Sequence, residues 1–295
     1  MTAAIHAFAE ALHPARALAT ALRLSCHEIA LRRFPDGESL VRVAPMAEPG
    51  TAYLYRSLDR PNDKLVEILL AAAALRENGA RAVVLIAPYL GYMRQDKAFH
   101  PGEAVSAGVV GSLLAQDLDG VITLDPHLHR ITDFSEAIPG IDATALTAAP
   151  VLTGAIDTAG KPFLVGPDSE SRQWVDAIAA PLGLPVLIGE KQRHGDRDIS
   201  LVIDGIEAVK GRRAILVDDV ISSGTTLREA ARLLHGAGAA GVEALATHCL
   251  ADGPALTALA QAGIDSVRAT DSVESPVGTI AIAPVLAAYL RDRLR

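Results

Sequence analysis

The sequence predicts an α/β protein of the doubly wound kind, with mostly parallel strands and crossover helices on both faces. Three observations lead there. Short β-patterned stretches alternate with helical ones through the opening of the chain. An apolar, β-branched run at 214–217 ends in Asp218 and Asp219, then passes into a Ser/Gly/Thr loop and an amphipathic helical pattern through Leu233. One phrase also recurs at a constant offset: Leu75, Gly79, Ala80 and Val83 reappear as Leu234, Gly238, Ala239 and Val242, each set where a helix ends and a strand begins. Read as a duplication, it divides the chain near 142–149 into domains 1–145 and 146–295, of which only the second kept the loop.

Taken in order, 5–9 reads as a strand, 14–24 as a helix, and 28–34 as a strand running into the turn Phe34-Pro35-Asp36-Gly37-Glu38. Strands at 41–43 and 52–55 follow. Asn62-Asp63 is expected to cap a helix from Lys64 to about Glu77, stopped by Asn78-Gly79. The strand 82–87 leads into a long loop, 88–103. Ligands in doubly wound folds sit beyond the carboxyl ends of strands, so Arg94 and Gln95 in this loop are candidates to hold a triphosphate; the plainer reading is a solvated turn. Strands at 121–124 and 163–165 come next, and the Ala-rich stretch 284–294 reads as a helix that the sequence assigns to neither domain.

With 295 residues, 50% hydrophobic and 21% charged, the chain can bury a large core. Its longest apolar runs are too short to span a bilayer, and the first residues lack the basic-then-apolar pattern of a secretory signal. The two cysteines, Cys26 and Cys249, argue against a disulfide framework or zinc cluster. A reducing, cytoplasmic setting is the expectation, with no membrane. The net charge of −8 has the wrong sign for general nucleic-acid binding.

The chemistry concentrates at 214–227. Small residues after a buried strand let backbone N–H groups turn toward an anion, and a helix N-terminus adds partial positive charge. Ser222, Ser223, Gly224, Thr225 and Thr226 can therefore hold a phosphate monoester, while Asp218 and Asp219 can accept hydrogen bonds from sugar hydroxyls or hold a hydrated Mg2+. Each half alone is an ordinary strand end or helix cap. Joined in this order they describe a sugar phosphate site.

This loop resembles the phosphoribosyl pyrophosphate (PRPP) motif of type I phosphoribosyltransferases and PRPP synthetases. The stretches FPDGE, PYLGYMRQDKAF, DPHLHRI, GPDSES, EKQR and LVDDVISSGTT stand in the order and spacing of PRPP synthetases, the ribose-phosphate diphosphokinases, and look most like the short archaeal type. The resemblance implies two tandem type I phosphoribosyltransferase-like domains. It implies transfer of the diphosphoryl group of Mg-ATP to the 1-hydroxyl of ribose 5-phosphate, giving PRPP and AMP for nucleotide biosynthesis. It also implies a homo-oligomer built from dimers that share adenine sites. On it, His127 and Asp168 correspond to metal-associated residues, with His129 a weaker candidate. Lys191 and Arg193 correspond to cations of a catalytic loop within 189–197, and Phe34, Asp36 and Glu38 to adenine-recognising residues.

The chain also departs from the family pattern. Ser222 stands where longer types carry an acid, Gly224 is followed by Thr225 where a second glycine is common, and Ser169-Glu170-Ser171 replaces a Gly-Gly pair after Asp168. Two other readings remain: a phosphoribosyltransferase consuming PRPP, which would not need the nucleotide motifs, and a non-catalytic regulatory member of the family, which would not need Lys191, Arg193, His127 and Asp168.

Overall fold

A computed structural model describes residues 2–128, 131, 133–193 and 199–294, with the backbone alone for 192, 193, 199 and 200. In chain order the elements are β1 (Ala3–Phe8), α1 (Leu12–Leu22), β2 (Ser25–Arg33), β3 (Ser39–Arg42), β4 (Gly50–Tyr55), α2 (Pro61–Glu77), β5 (Ala80–Ile86), α3 (Ser106–Asp117), β6 (Gly120–Leu124), β7 (Asp142–Leu146), α4 (Ala149–Gly154), β8 (Phe163–Gly166), α5 (Arg172–Leu182), β9 (Val186–Arg193), β10 (Ile199–Ile203), β11 (Arg213–Ile221), α6 (Thr225–Gly236), β12 (Gly241–Cys249), α7 (Gly253–Gln261), β13 (Ile264–Thr270), β14 (Gly278–Ile280) and α8 (Ala283–Arg293).

These elements divide into two units. The first runs to Thr147 and takes back Ser272–Glu274 and the segment from Ile282 onward; the second holds Ala148–Asp271 and Ser275–Ala281. The carboxyl-terminal helix α8 thus belongs to the first unit, where it packs on α1 and Tyr289 bonds Thr144 at 2.6 Å.

Each unit carries a seven-stranded sheet. The first has the order β3-β2-β1-β4-β5-β6-β7 and the second β10-β9-β8-β11-β12-β13-β14. Adding seven to every strand of the first gives the second. In each, one edge hairpin is antiparallel, β2 with β3 and β9 with β10, and the other pairs are parallel. The recurring phrase falls at equivalent joints, α2 into β5 and α6 into β12, where Gly79 (φ +102) and Gly238 (φ +87) turn the chain. The α/β class, with mostly parallel sheets flanked by helices, is as the sequence predicts.

The helices cover the sheets through apolar stripes at helical spacing. In α2 the buried residues Leu65, Ile68, Ala71, Ala72 and Leu75 face β4 and β5, and in α6 Leu227, Ala230, Ala231 and Leu234 face β11 and β12. Fully burying one such leucine or isoleucine contributes about 1.5–3 kcal/mol. Among the described residues, no helix is long and apolar enough to cross a membrane.

Three boundaries differ from expectation in ways that matter for the site. Helix α2 starts at Pro61, not Lys64, and its N-cap is Arg60 in the left-handed region (φ 49), so Asn62 and Asp63 lie in the first turn instead of capping it. Proline at the first helical position loses no hydrogen bond, because that N–H has no intrahelical partner. Strand β11 continues to Ile221, so Asp218 and Asp219 lie within a strand and not beyond its end. Residues 189–193 belong to β9, where Lys191 is paired with Leu201 of β10.

Candidate functional site

In the second unit the chemistry gathers where β8, β9 and β11 reach the first turn of α6. Asp168 follows β8 and caps a short 3-10 turn. Its Oδ1 accepts from the Ser171 N–H at 3.3 Å, while the Ser171 hydroxyl donates to the Asp168 carbonyl at 2.5 Å. Ser171, which stands in place of an expected glycine, is therefore built into the turn. The other Asp168 oxygen accepts from Lys191 Nζ at 2.9 Å. Asp168, Ser169, Glu170, Glu190 and Lys191 line a cleft of about 330 Å³.

Asp218 and Asp219 stand side by side on β11. Asp219 is buried and its Oδ1 accepts from the Val220 N–H at 2.8 Å, while Asp218 Oδ1 accepts from the Asp219 N–H at 3.0 Å. Burial first, then the charges of Asp219 and Asp168, hold the Asp218 carboxyl well above the ordinary carboxylate range. Three carboxylates thus crowd one corner of this unit, an arrangement that a divalent cation relieves. Among the described residues, no three His, Cys, Asp or Glu side chains converge as a ligand set. A hard cation here must take most of its ligands from phosphate and water oxygens, which suits Mg2+.

The loop Ser222, Ser223, Gly224 leads straight into α6, whose first residues are Thr225 and Thr226. Gly224 is the N-cap at φ 66, and a Cβ there would lie 2.7 Å from Leu259 Cδ2. Only glycine meets both demands without strain. Ser223 and Thr225 hydroxyls are 3.2 Å apart, and no side chain caps the helix.

The first unit carries the remaining candidates. Phe34, Asp36 and Glu38 form the turn between β2 and β3, closed by Phe34 N–H to Glu38 C=O at 2.8 Å and by Glu38 N–H to Asp36 Oδ1 at 3.2 Å. Asp36 and Glu38 are exposed, Phe34 is half-buried, and Arg32 lies over its ring at 5.0 Å. Arg94 is exposed on the loop after β5, and Gln95 beside it is held at both ends: its carbonyl accepts from Ala107 and its amide donates to Glu103 at 3.4 Å. His127 is half-buried two residues after Asp125, which has φ 35 and whose N–H donates to Leu146. His129 and residues 194–198 lie outside the described residues, and Arg193 is described by its backbone in β9.

Sequence reasoning missed two supports. Glu103 gathers the 95–103 loop by accepting also from the Phe99 and His100 N–H groups at 2.8 and 3.1 Å. Arg56, 2% exposed at the end of β4, has Nη1 2.7 Å from Glu67 Oε2, a contact of charges more than an aligned hydrogen bond. Its Nε donates to Glu10, and its guanidinium stacks 3.8 Å from the Phe8 ring centre. Glu67 also accepts from Arg33 and Ser39, tying the β2–β3 hairpin to α2. Burial alone would raise the Glu67 carboxyl, but these donors, Arg56 first, hold it below its ordinary value. A charge directly after the apolar run 52–55 was the one available signal.

Comparison with known proteins fits this arrangement. Residues 5–117 match the N-terminal domain of ribose phosphate pyrophosphokinase, and residues 147–280 match the phosphoribosyl transferase domain. The chain is 33% identical to the ribose-phosphate pyrophosphokinase of Methanopyrus kandleri over 95% of its length and 96% of that protein's. It is 34% identical to that of Granulibacter bethesdensis over 94% of its length and 92% of that protein's. The crystal structure of phosphoribosylpyrophosphate synthetase from Mycobacterium smegmatis superposes with a TM-score of 0.85 at 29% identity, covering 100% of this chain and 99% of that one. With both domains in order and near-complete mutual coverage, the chain belongs to the ribose-phosphate pyrophosphokinase family.

Proposed function

We propose that this chain transfers the β,γ-diphosphoryl group of ATP to the 1-hydroxyl of ribose 5-phosphate in the cytoplasm. The hydroxyl oxygen bonds to the β-phosphorus, the bond from the β-phosphorus to the α,β-bridging oxygen breaks, the hydroxyl proton passes to solvent water, and PRPP and AMP leave. The observation that carries this reading is the run of two carboxylates, phosphate loop and helix start at 218–225, in the same unit as a lysine 2.9 Å from Asp168.

The residues divide the work by chemistry. Ser222 to Thr226 hold the 5-phosphate through backbone and hydroxyl donors, and Asp218 with Asp219 accepts from ribose hydroxyls. Phe34 stacks on adenine while Asp36 and Glu38 read its edge, in a homo-oligomer whose neighbouring subunits share the adenine site. Arg94 and Gln95 hold the triphosphate. His127 in the first unit and Asp168 in the second are each assigned a Mg2+-holding role, and the ion would supply positive charge against that of the phosphates. Lys191 and Arg193, on a catalytic loop that closes over the nucleotide, add positive charge to the transferring group. A coupled assay for AMP and PRPP tests the reading: purified chain, ATP, ribose 5-phosphate and Mg2+ must yield both products in equal amounts. Absence of product, or consumption of PRPP with a nucleobase instead, rejects it.

A further inference from the structure

We infer that Arg228 is a phosphate-binding residue of the sugar-phosphate site, supplying the fixed cation that the loop itself lacks. The inference rests on the reading of 222–226 as a 5-phosphate loop and extends it to a side chain outside that loop.

Arg228 is the fourth residue of α6, one turn beyond Thr225. Side chains on a helix lean toward its N-terminus, which carries the Arg228 guanidinium back toward the loop. Its Nη2 lies 3.2 Å from Thr225 Oγ1, which is itself 3.2 Å from Ser223 Oγ, so three polar groups run in series along the rim. Arg228 is half-buried, and its Nε is fully buried with no hydrogen-bond partner. Among the described residues, no carboxylate pairs with it, although the chain carries 35 Asp and Glu. A guanidinium held this way is unfavourable until an anion completes it.

The duplicated unit shows the contrast. Lys64 is the fourth residue of α2, the equivalent helix, and it is satisfied internally by Asp59 at 2.6 Å and the Ser57 carbonyl at 3.0 Å. In the second unit the same helical position keeps its charge uncompensated next to hydroxyls and an uncapped helix start. A phosphate monoester dianion fits it, because a guanidinium meets two phosphate oxygens at once.

The test measures binding of ribose 5-phosphate, inorganic phosphate and ATP to the full chain by calorimetry with Mg2+ present. Arg228→Ala is expected to weaken ribose 5-phosphate and inorganic phosphate on the order of 10–100-fold, with ATP affinity held within about twofold. Arg228→Lys should recover part of the loss, and Arg228→Ala should still weaken binding at least about fivefold in a Thr225→Val background. Unchanged ribose 5-phosphate affinity, or loss for inorganic phosphate alone, overturns the inference. So does an effect that vanishes in the Thr225→Val background, because Arg228 would then only hold Thr225 in place. Matched thermal melts of the variants show that they fold. The measurement needs no turnover, so a chain that binds ribose 5-phosphate through Arg228 but makes no PRPP would sink the proposed reaction and leave this inference standing.

Discussion

Truncating Glu67 to alanine should destabilise the first unit far more than removing its whole ion pair. Glu67 is completely buried and Arg56 is 2% exposed. Glu67 Oε1 accepts from Arg33 at 3.0 Å and Ser39 at 2.9 Å, while Oε2 faces Arg56 Nη1 at 2.7 Å. After Glu67→Ala, Arg56 keeps Glu10 at 2.8 Å and the face of Phe8 but loses the carboxylate at Nη1, so its buried guanidinium is left only partly compensated. Leaving one partner of a buried pair in place costs about 3–5 kcal/mol, whereas replacing both by apolar side chains of similar volume is often near neutral. The double variant Arg56→Met with Glu67→Leu should therefore be more stable than Glu67→Ala alone. Urea titration followed by circular dichroism gives the ranking. Because Arg33 and Ser39 lie on the hairpin strands that carry Phe34, Asp36 and Glu38 between them, Glu67→Ala should also raise KM for ATP and leave that for ribose 5-phosphate unchanged. A single-variant loss under about 1 kcal/mol, or a double variant at least as unstable as the single, would refute the reasoning.

Three further outcomes follow from the same geometry. Lys191→Ala should lower kcat by about a hundredfold or more with little change in ribose 5-phosphate affinity; equal losses in both would place Lys191 in ground-state binding. Gly224→Ala should cost about 1–2 kcal/mol from its left-handed backbone alone, plus repacking of Leu259, and weaken ribose 5-phosphate binding; a fully stable, fully binding variant would show that the loop tolerates a Cβ. His6 is buried with neither ring nitrogen hydrogen-bonded, and burial, with the neighbouring charge of His27 second, lowers its pKa from 6.5 to about 4. The unfolded chain then takes up this proton near pH 6.5 and the folded chain only near pH 4, so stability is full above pH 6.5 and falls between the two, by about 3 kcal/mol at most. His6→Leu should flatten that part of the urea-midpoint profile, and an unchanged slope between pH 4 and 6.5 would count against it.

The fold was legible because its elements announce themselves locally. Strands β4, β5, β6 and β11 are apolar runs bounded by polar turns, and α2 and α6 have their buried residues at helical spacing. Boundaries failed where two signals competed. At 60–63 the cap preference of Asn and Asp lost to Pro61, whose fixed φ suits the first helical position. At 218–219 charged side chains suggested a strand end, but the ladder to β12 continues through Asp218 and Val220 because backbone pairing does not depend on side-chain charge. Of the site, residues adjacent in sequence, Asp218 to Thr226, could be read directly. Contacts made across the fold could not: Lys191 with Asp168 spans 23 positions and Arg56 with Glu10 spans 46, and no spacing rule links them. Arg228 was passed over for the opposite reason, since an arginine on an amphipathic helix reads as an ordinary solvated residue until its missing counter-ion is seen.

The paired sheets also explain in physical terms why one copy reads as a phosphate site and the other does not. Both crossover helices begin from a left-handed N-cap without a side-chain bond, Arg60 before α2 and Gly224 before α6. The next residue decides the chemistry. In the first copy it is Pro61, which has no N–H to offer, and the cation three residues later is spent on Asp59. In the second copy it is Thr225, which brings a backbone donor and a hydroxyl to the same place, with Arg228 left uncompensated behind it. The same strand, turn and helix therefore end in a proline joint with an internally paired cation in one half and, on the proposed reading, in an open anion cradle in the other. In the first unit the proposed nucleotide residues lie instead on the β2–β3 turn and the loop after β5, which Glu67 and Glu103 hold in place. Two sheets of the same strand order thus differ at one joint by a proline and a paired lysine in the first unit against a threonine and, among the described residues, an unpaired arginine in the second.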